Sequence, residues 1–108
     1  VIKRAVKIDD EPLTIDDIMD KVCSHYNVTM SAVNSRSRKK DIVMARQVSM
    51  YMAQKYTKMP ASRIGKLVGN RDHSTVIHSC SKIEDRLKVD KGFHAEIASI
   101  ENSFKLKA

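Results

Sequence analysis

Residues 69–87 decide the fold: Gly69-Asn70-Arg71-Asp72-His73-Ser74-Thr75-Val76-Ile77-His78-Ser79-Cys80-Ser81-Lys82-Ile83-Glu84-Asp85-Arg86-Leu87. Gly69 and Asn70 are residue types that tolerate the left-handed backbone of a sharp turn. Asp72 can accept hydrogen bonds from the free amides of a first helical turn. Apolar residues then fall at Val76, Cys80, Ile83 and Leu87, with Ile77 beside them, which is one helical stripe over three turns. The first turn, His73-Ser74-Thr75, is polar and short-chained. This helix buries its later turns and presents its N-terminus, preceded by Arg71. A helix presented tip-first behind a tight turn is how helix-turn-helix proteins enter the major groove.

The charge pattern points the same way. The 108 residues carry a formal net charge of +7. Residues 36–71 alone hold ten basic side chains and one acid, Asp41, whereas residues 1–35 are net −2 and residues 72–108 are neutral. The excess positive charge ends where the proposed reading helix begins, and polyanion binding accounts for that segregation. Three Gly, two Pro, no Trp and few alternating β-branched runs predict an all-α chain. No apolar run approaches membrane-spanning length. Cys23 and Cys80 are far apart and each sits in an apolar stripe. They read as reduced core thiols of a cytoplasmic protein, not as a disulfide or metal pair.

Upstream of this stretch the chain resolves into helices and breaks. Val1–Ile8 alternates apolar and basic residues, and Asp9-Asp10-Glu11-Pro12 breaks it, so residues 1–12 read as a connector. A basic amphipathic segment can also touch acidic phospholipid. Thr14 is a good N-cap for a helix carrying Ile15, Ile18, Met19, Val22 and Tyr26, with Asp16 and Asp17 facing its positive end. A short helix is expected from Thr29 or Met30. Ser35-Arg36-Ser37-Arg38-Lys39-Lys40 packs like charges between small polar spacers and reads as a loop. Asp41 starts a long central helix with a stripe at Ala45, Val48, Met52 and Tyr56, widened by Met44 and Tyr51. Arg46 and Gln47 near its start are expected phosphate partners. After Lys58-Met59-Pro60, a short helix with Ile64, Leu67 and Val68 closes at Gly69. It is the first helix of the helix-turn-helix, and Lys58, Ser62 and Arg63 at its start are expected to hold phosphates. Phe93, Ile97, Ile100 and Phe104 mark a closing helix. Lys105 and Lys107 complement its C-terminal dipole.

Arg71-Asp72-His73-Ser74-Thr75-Val76, followed by Ile77-His78-Ser79-Cys80, resembles the signature of the DnaA family of bacterial replication initiators, in its C-terminal DNA-binding domain (domain IV). The resemblance runs from about Leu13 to Leu87. Asn70 stands where the family usually has a second Gly, and Ser74 where Thr is frequent. Asn is the next best residue for a positive φ, and Ser keeps the hydroxyl while lacking the methyl. The resemblance implies a compact all-α domain over residues 13–108, with a Trp-repressor-like helix-turn-helix and a basic loop. It implies that residues 1–12 join it to an upstream ATPase module. It also implies binding to double-stranded DNA at replication origin boxes. Asp72, His73 and Ser74 would read base edges, with Arg71 and Thr75 on or near phosphate. In the family the basic loop sends an Arg into the minor groove. Arg38 is the aligned position, flanked by Arg36 and Lys40 as phosphate contacts, and a narrow minor groove favours Arg.

Catalysis is not expected within these residues. Asp72, His73 and Ser74 are consecutive on a helix, about 100° apart, and cannot relay a proton. His73 and His78 lack zinc-helix spacing. Gly65-Lys66 has no phosphate-loop motif around it. Asp16, Asp17 and Asp20 read as helix-start and solvated charges, not as a metal cluster. No cofactor is expected here, and ATP belongs to the full-length parent the resemblance implies. His78 neighbours the buried face and is expected to pack or bond within the domain. Two other functions fit the composition: a helix-turn-helix transcriptional repressor, which would read mainly with its helix and act as a dimer, and a helical interaction module whose basic face meets an acidic protein. The basic loop argues against the first, and affinity for plain duplex tests the second. With no second apolar face, the domain is expected to act as a monomer.

Overall fold

Six helices account for the described chain, and four of them start at a local side-chain cap. The computed structural model describes residues 14–106, with side chains as far as Phe104. The expected connector over residues 1–12, with its lipid contact, lies outside the described residues, as do Lys107 and the side chain of Lys105. Helix α1 (Ile15–Tyr26) opens with a reciprocal cap. Thr14 Oγ1 accepts from the Asp17 amide at 3.1 Å, and the Asp17 carboxylate accepts from the Thr14 amide at 3.5 Å. It ends at Asn27, in the left-handed region at φ 57°. Helix α2 (Met30–Val33) is capped by Thr29, whose hydroxyl accepts from the Ala32 amide at 3.0 Å.

Helix α3 (Lys40–Tyr56) is the central element, packed against α1, α2, the fourth helix and the fifth. It begins at Lys40, so the basic loop is one residue shorter than its composition predicts. Its burial is also wider than the expected stripe. Met50 and Ala53 join Ala45, Val48 and Met52 with no exposure, because helices cover α3 on more than one side. Tyr56, expected in the stripe, is only half-buried and meets Phe104 edge-on, with ring centroids 5.6 Å apart.

Helix α4 (Ala61–Leu67) follows Pro60 and packs on α5 (His73–Val89), which runs two residues beyond Leu87. A single residue, Asp90, separates α5 from α6 (Lys91–Leu106). Its carboxylate accepts from the Phe93 amide at 3.0 Å and from Arg86 Nε at 3.3 Å, so it caps one helix while pairing with the last turn of the other. Phe93, Ile97, Ile100 and Phe104 are all buried, as their spacing predicts. Cys23 and Cys80 are free and buried. Burial first, then the nearby Glu84 charge, pushes the Cys80 thiol up to about 11. Among the described residues no helix is long and apolar enough to cross a membrane.

Candidate nucleic-acid interface

The turn between α4 and α5 is tight because of two glycines. Gly69 lies at φ 82° and Asn70 at φ 52°, so two successive residues take the left-handed conformation that their types allow. The Arg71 amide then donates to the Gly65 carbonyl at 2.8 Å. A Cβ at Gly65 would stand 2.2 Å from the Arg71 carbonyl oxygen. Gly65 is thus the residue that lets the turn fold back onto α4.

Beyond the turn, Asp72 caps α5. Its Oδ1 accepts from the Thr75 amide at 3.0 Å and from Thr75 Oγ1 at 3.1 Å. These bonds hold its carboxyl below the usual carboxylate range. Val76, Ser79, Cys80 and Ile83 turn inward, while His73, Ser74, Ile77 and His78 form the open face of the first two turns. Thr75 donates its amide and hydroxyl protons to Asp72, so it builds the cap. Two sequence expectations change here, those for His78 and Ile77. His78 is exposed and does not pack into the core. Ile77, counted with the apolar stripe, is 53% exposed. It sits about 100° from Val76 around the helix, just past the edge of the buried face. An exposed Ile one turn after His73 and Ser74 is the residue that sequence reasoning missed, and only its position at the stripe's margin hinted at it.

The basic loop is ordered by its own serines. The Ser35 hydroxyl donates to the Ala32 carbonyl at 2.6 Å and accepts from the Ser37 amide at 3.1 Å. The Ser37 hydroxyl in turn accepts from the Lys39 amide at 3.2 Å. The small polar spacers are hooks that fold the backbone while Arg36, Arg38, Lys39 and Lys40 stand exposed.

Arg46 overturns another expectation. It is only 7% exposed. Its Nε donates to the Val33 carbonyl at 2.8 Å, and its Nη2 donates to the carbonyls of Ser35 at 3.0 Å and Ser37 at 3.2 Å. It braces the loop from inside and is not available to phosphate. Burial, then the neighbouring Arg71 charge, pulls its pKa below the ordinary arginine value. Arg71 is half-buried. Its Nη1 donates to the Gly69 carbonyl at 2.6 Å and its Nη2 reaches the Ser35 carbonyl at 3.5 Å. With five N–H groups on a guanidinium, it keeps donors for an outside acceptor. Asn34 completes the junction, its Oδ1 accepting from the Gly69 amide at 2.9 Å. The loop and the turn are therefore stitched together at the foot of α5. Around α4, Lys58, Ser62 and Arg63 are exposed, and Gln47 on α3 is half-buried. Lys55, by contrast, is taken by Glu101 and the Tyr56 ring.

A reading helix offered by its polar tip, behind a two-residue left-handed turn and beside a loop of exposed cations, defines a helix-turn-helix protein of the DNA-binding class. Comparison with known proteins makes the class particular. The family model of the bacterial DnaA protein helix-turn-helix matches residues 15–83. The chromosomal replication initiator protein DnaA of Bacteroides thetaiotaomicron is 44% identical over 108 residues, covering 100% of this chain and 23% of that protein. The protein of the same name from Streptococcus thermophilus is 44% identical over 105 residues, covering 94% of this chain and 23% of its own length. That from Porphyromonas gingivalis is 34% identical over 101 residues, covering 94% and 21%. The chain belongs to the bacterial DnaA helix-turn-helix family, a family of DNA-binding domains in replication initiation. It spans less than a quarter of the length of these relatives.

Proposed function

We propose that this domain binds origin boxes in double-stranded DNA as a monomer, reading both grooves of one site. The observation that carries this reading is the junction of Asn34 with Gly69 and of Ser35 with Arg71, which ties the loop bearing the exposed cations to the turn that launches α5. Asp72, His73 and Ser74 would face base edges in the major groove. Asp72 uses Oδ1 in the cap and keeps its other oxygen to accept from a cytosine amino group. Arg38 would enter the minor groove, where negative potential concentrates. Arg36, Lys40, Lys58, Ser62, Arg63, Arg71 and Gln47 would position the duplex through phosphates. Catalysis has no place in this reading, and ATP use belongs to a part of the full-length protein outside the matched segment.

Gel shifts of the domain on a box duplex and a scrambled duplex, repeated across salt, test this. If about six cations meet phosphates, log K falls with log salt at a slope of about −5. Sedimentation of the complex should give one protein per box. A slope near zero would remove DNA as the partner in favour of an acidic protein. Two proteins on a palindrome would make the domain a repressor-like dimer.

A further inference from the structure

We propose that Arg46 is a positioning residue that holds the basic loop in register with the reading helix, and so sets where Arg38 meets DNA; this rests on the DNA reading above. One guanidinium gathers the carbonyls of Val33, Ser35 and Ser37, from the end of α2 to the residue before Arg38. A planar fork with fixed N–H directions dictates the path of that backbone in a way a single ammonium cannot. The same side chain touches the other reader. A Cβ at Gly69 would stand 3.1 Å from Arg46 Cδ, so the aliphatic stem lies against the turn that launches α5. Gly69 is also the residue whose amide Asn34 holds, and Arg71 reaches back from the turn to the Ser35 carbonyl. Among the described residues the ion pairs join other side chains, and no carboxylate stands within pairing distance of Arg46. Its charge is answered by loop carbonyls, which ties its burial to the loop's shape. Arg46 therefore touches both elements that would read the DNA, yet is too buried to touch DNA itself.

Two variants separate geometry from charge. Arg46→Lys keeps the charge and loses the fork; Arg46→Met loses both and keeps much of the packing. Each is made alone and with Arg38→Ala. Amide exchange in the free protein reports the loop, and gel shifts on box and scrambled duplex report binding. Both variants should stay helical by circular dichroism and exchange faster at the Ser37, Lys39 and Gly69 amides. Both should lose about tenfold on the box, the size of a usual coupling between contacting residues. Scrambled-duplex affinity and salt slope should not change. Adding Arg38→Ala should take away little further preference for box over scrambled duplex, because the loop Arg is already displaced, while its lost charge weakens both duplexes alike. Wild-type box affinity in Arg46→Lys, or a slope shallower by about one unit in Arg46→Met, would make Arg46 an ordinary phosphate contact and overturn the inference. So would faster loop exchange with unchanged box affinity. If Arg46→Met does not fold, Arg46→Lys alone decides. A wild-type protein with no preference for the box overturns the DNA reading itself, and that result is visible before any variant is made.

Discussion

Arg46 and Arg71 converge on one acceptor, the backbone carbonyl oxygen of Ser35, at 3.0 and 3.5 Å. Two cations sharing a carbonyl repel each other, and that repulsion contributes to the lowered pKa of Arg46. The arrangement holds because each guanidinium also donates elsewhere, Arg46 to Val33 and Ser37 and Arg71 to Gly69. A polyanion laid across the exposed loop would offset the repulsion, so the junction is pre-organised for the partner that its charge requires.

Three substitutions should separate the roles of the exposed residues. Lys58→Ala should weaken box and scrambled duplex alike and shallow the salt slope by about one unit. His73→Ala should cost about 1–3 kcal/mol on the box and much less on scrambled duplex. Arg38→Ala should do both, since a minor-groove Arg supplies charge as well as a preference for A·T steps. All three side chains are exposed, so melting temperatures should match the wild type. Equal losses on both duplexes for a folded His73→Ala would mean that α5 is not the reading element.

Ile77→Ala tests the residue that the sequence pattern placed with the core. At 53% exposure its truncation should change stability by no more than about 0.5 kcal/mol. On the box, affinity should fall, and most where a thymine methyl faces that turn, since apolar side chains read that group. Replacing that thymine by uracil should reproduce the loss in the wild type and add nothing in the variant. A drop in melting temperature without a binding effect would return Ile77 to the core.

Gly65→Ala sets two effects against each other. Alanine in a helix gains about 1 kcal/mol over glycine. The new Cβ would lie 2.2 Å from a backbone oxygen that cannot move without opening the turn. Overpacking of this kind costs about 1–3 kcal/mol, and so close a contact with backbone belongs at the upper end. The variant should melt lower than the wild type and lose box binding through a displaced α5. A higher melting temperature would show that the turn yields.

Asp72→Asn separates capping from reading. Asn is as good an N-cap as Asp, so the melting temperature near neutral pH should hold. The carboxyl of Asp72 is depressed in the folded state, chiefly by the Thr75 bonds. Its stabilising effect is therefore complete above the ordinary carboxylate pKa and lost as pH falls through the lowered value. The wild type should lose melting temperature more steeply than Asp72→Asn below about pH 4. Box preference should drop in the variant at neutral pH if the free oxygen accepts from a base. Unchanged preference would confine Asp72 to the cap.

Local chemistry was enough to determine four of the six helix starts. Thr14, Thr29, Asp72 and Asp90 each cap a helix through bonds within three residues, and the apolar spacing of Phe93 to Phe104 predicts its own burial. The left-handed turn was legible in Gly69-Asn70 because backbone sterics depend on residue type alone. The family was legible too, because its motif is one contiguous run. What tertiary structure decided are the residues whose roles depend on partners far along the chain. Arg38 was legible as a loop residue and Arg46 as a helix residue, but the helical pattern does not say that Arg46 reaches back to the Val33 carbonyl and is buried there. Gly65 acquires its purpose only from the Arg71 carbonyl, and Ile77 and His78 are outward because the helices packed on α5 cover its other face. A helical period assigns residues to a face to within about one position, whereas burial at the margin of that face depends on how far the neighbouring helix reaches.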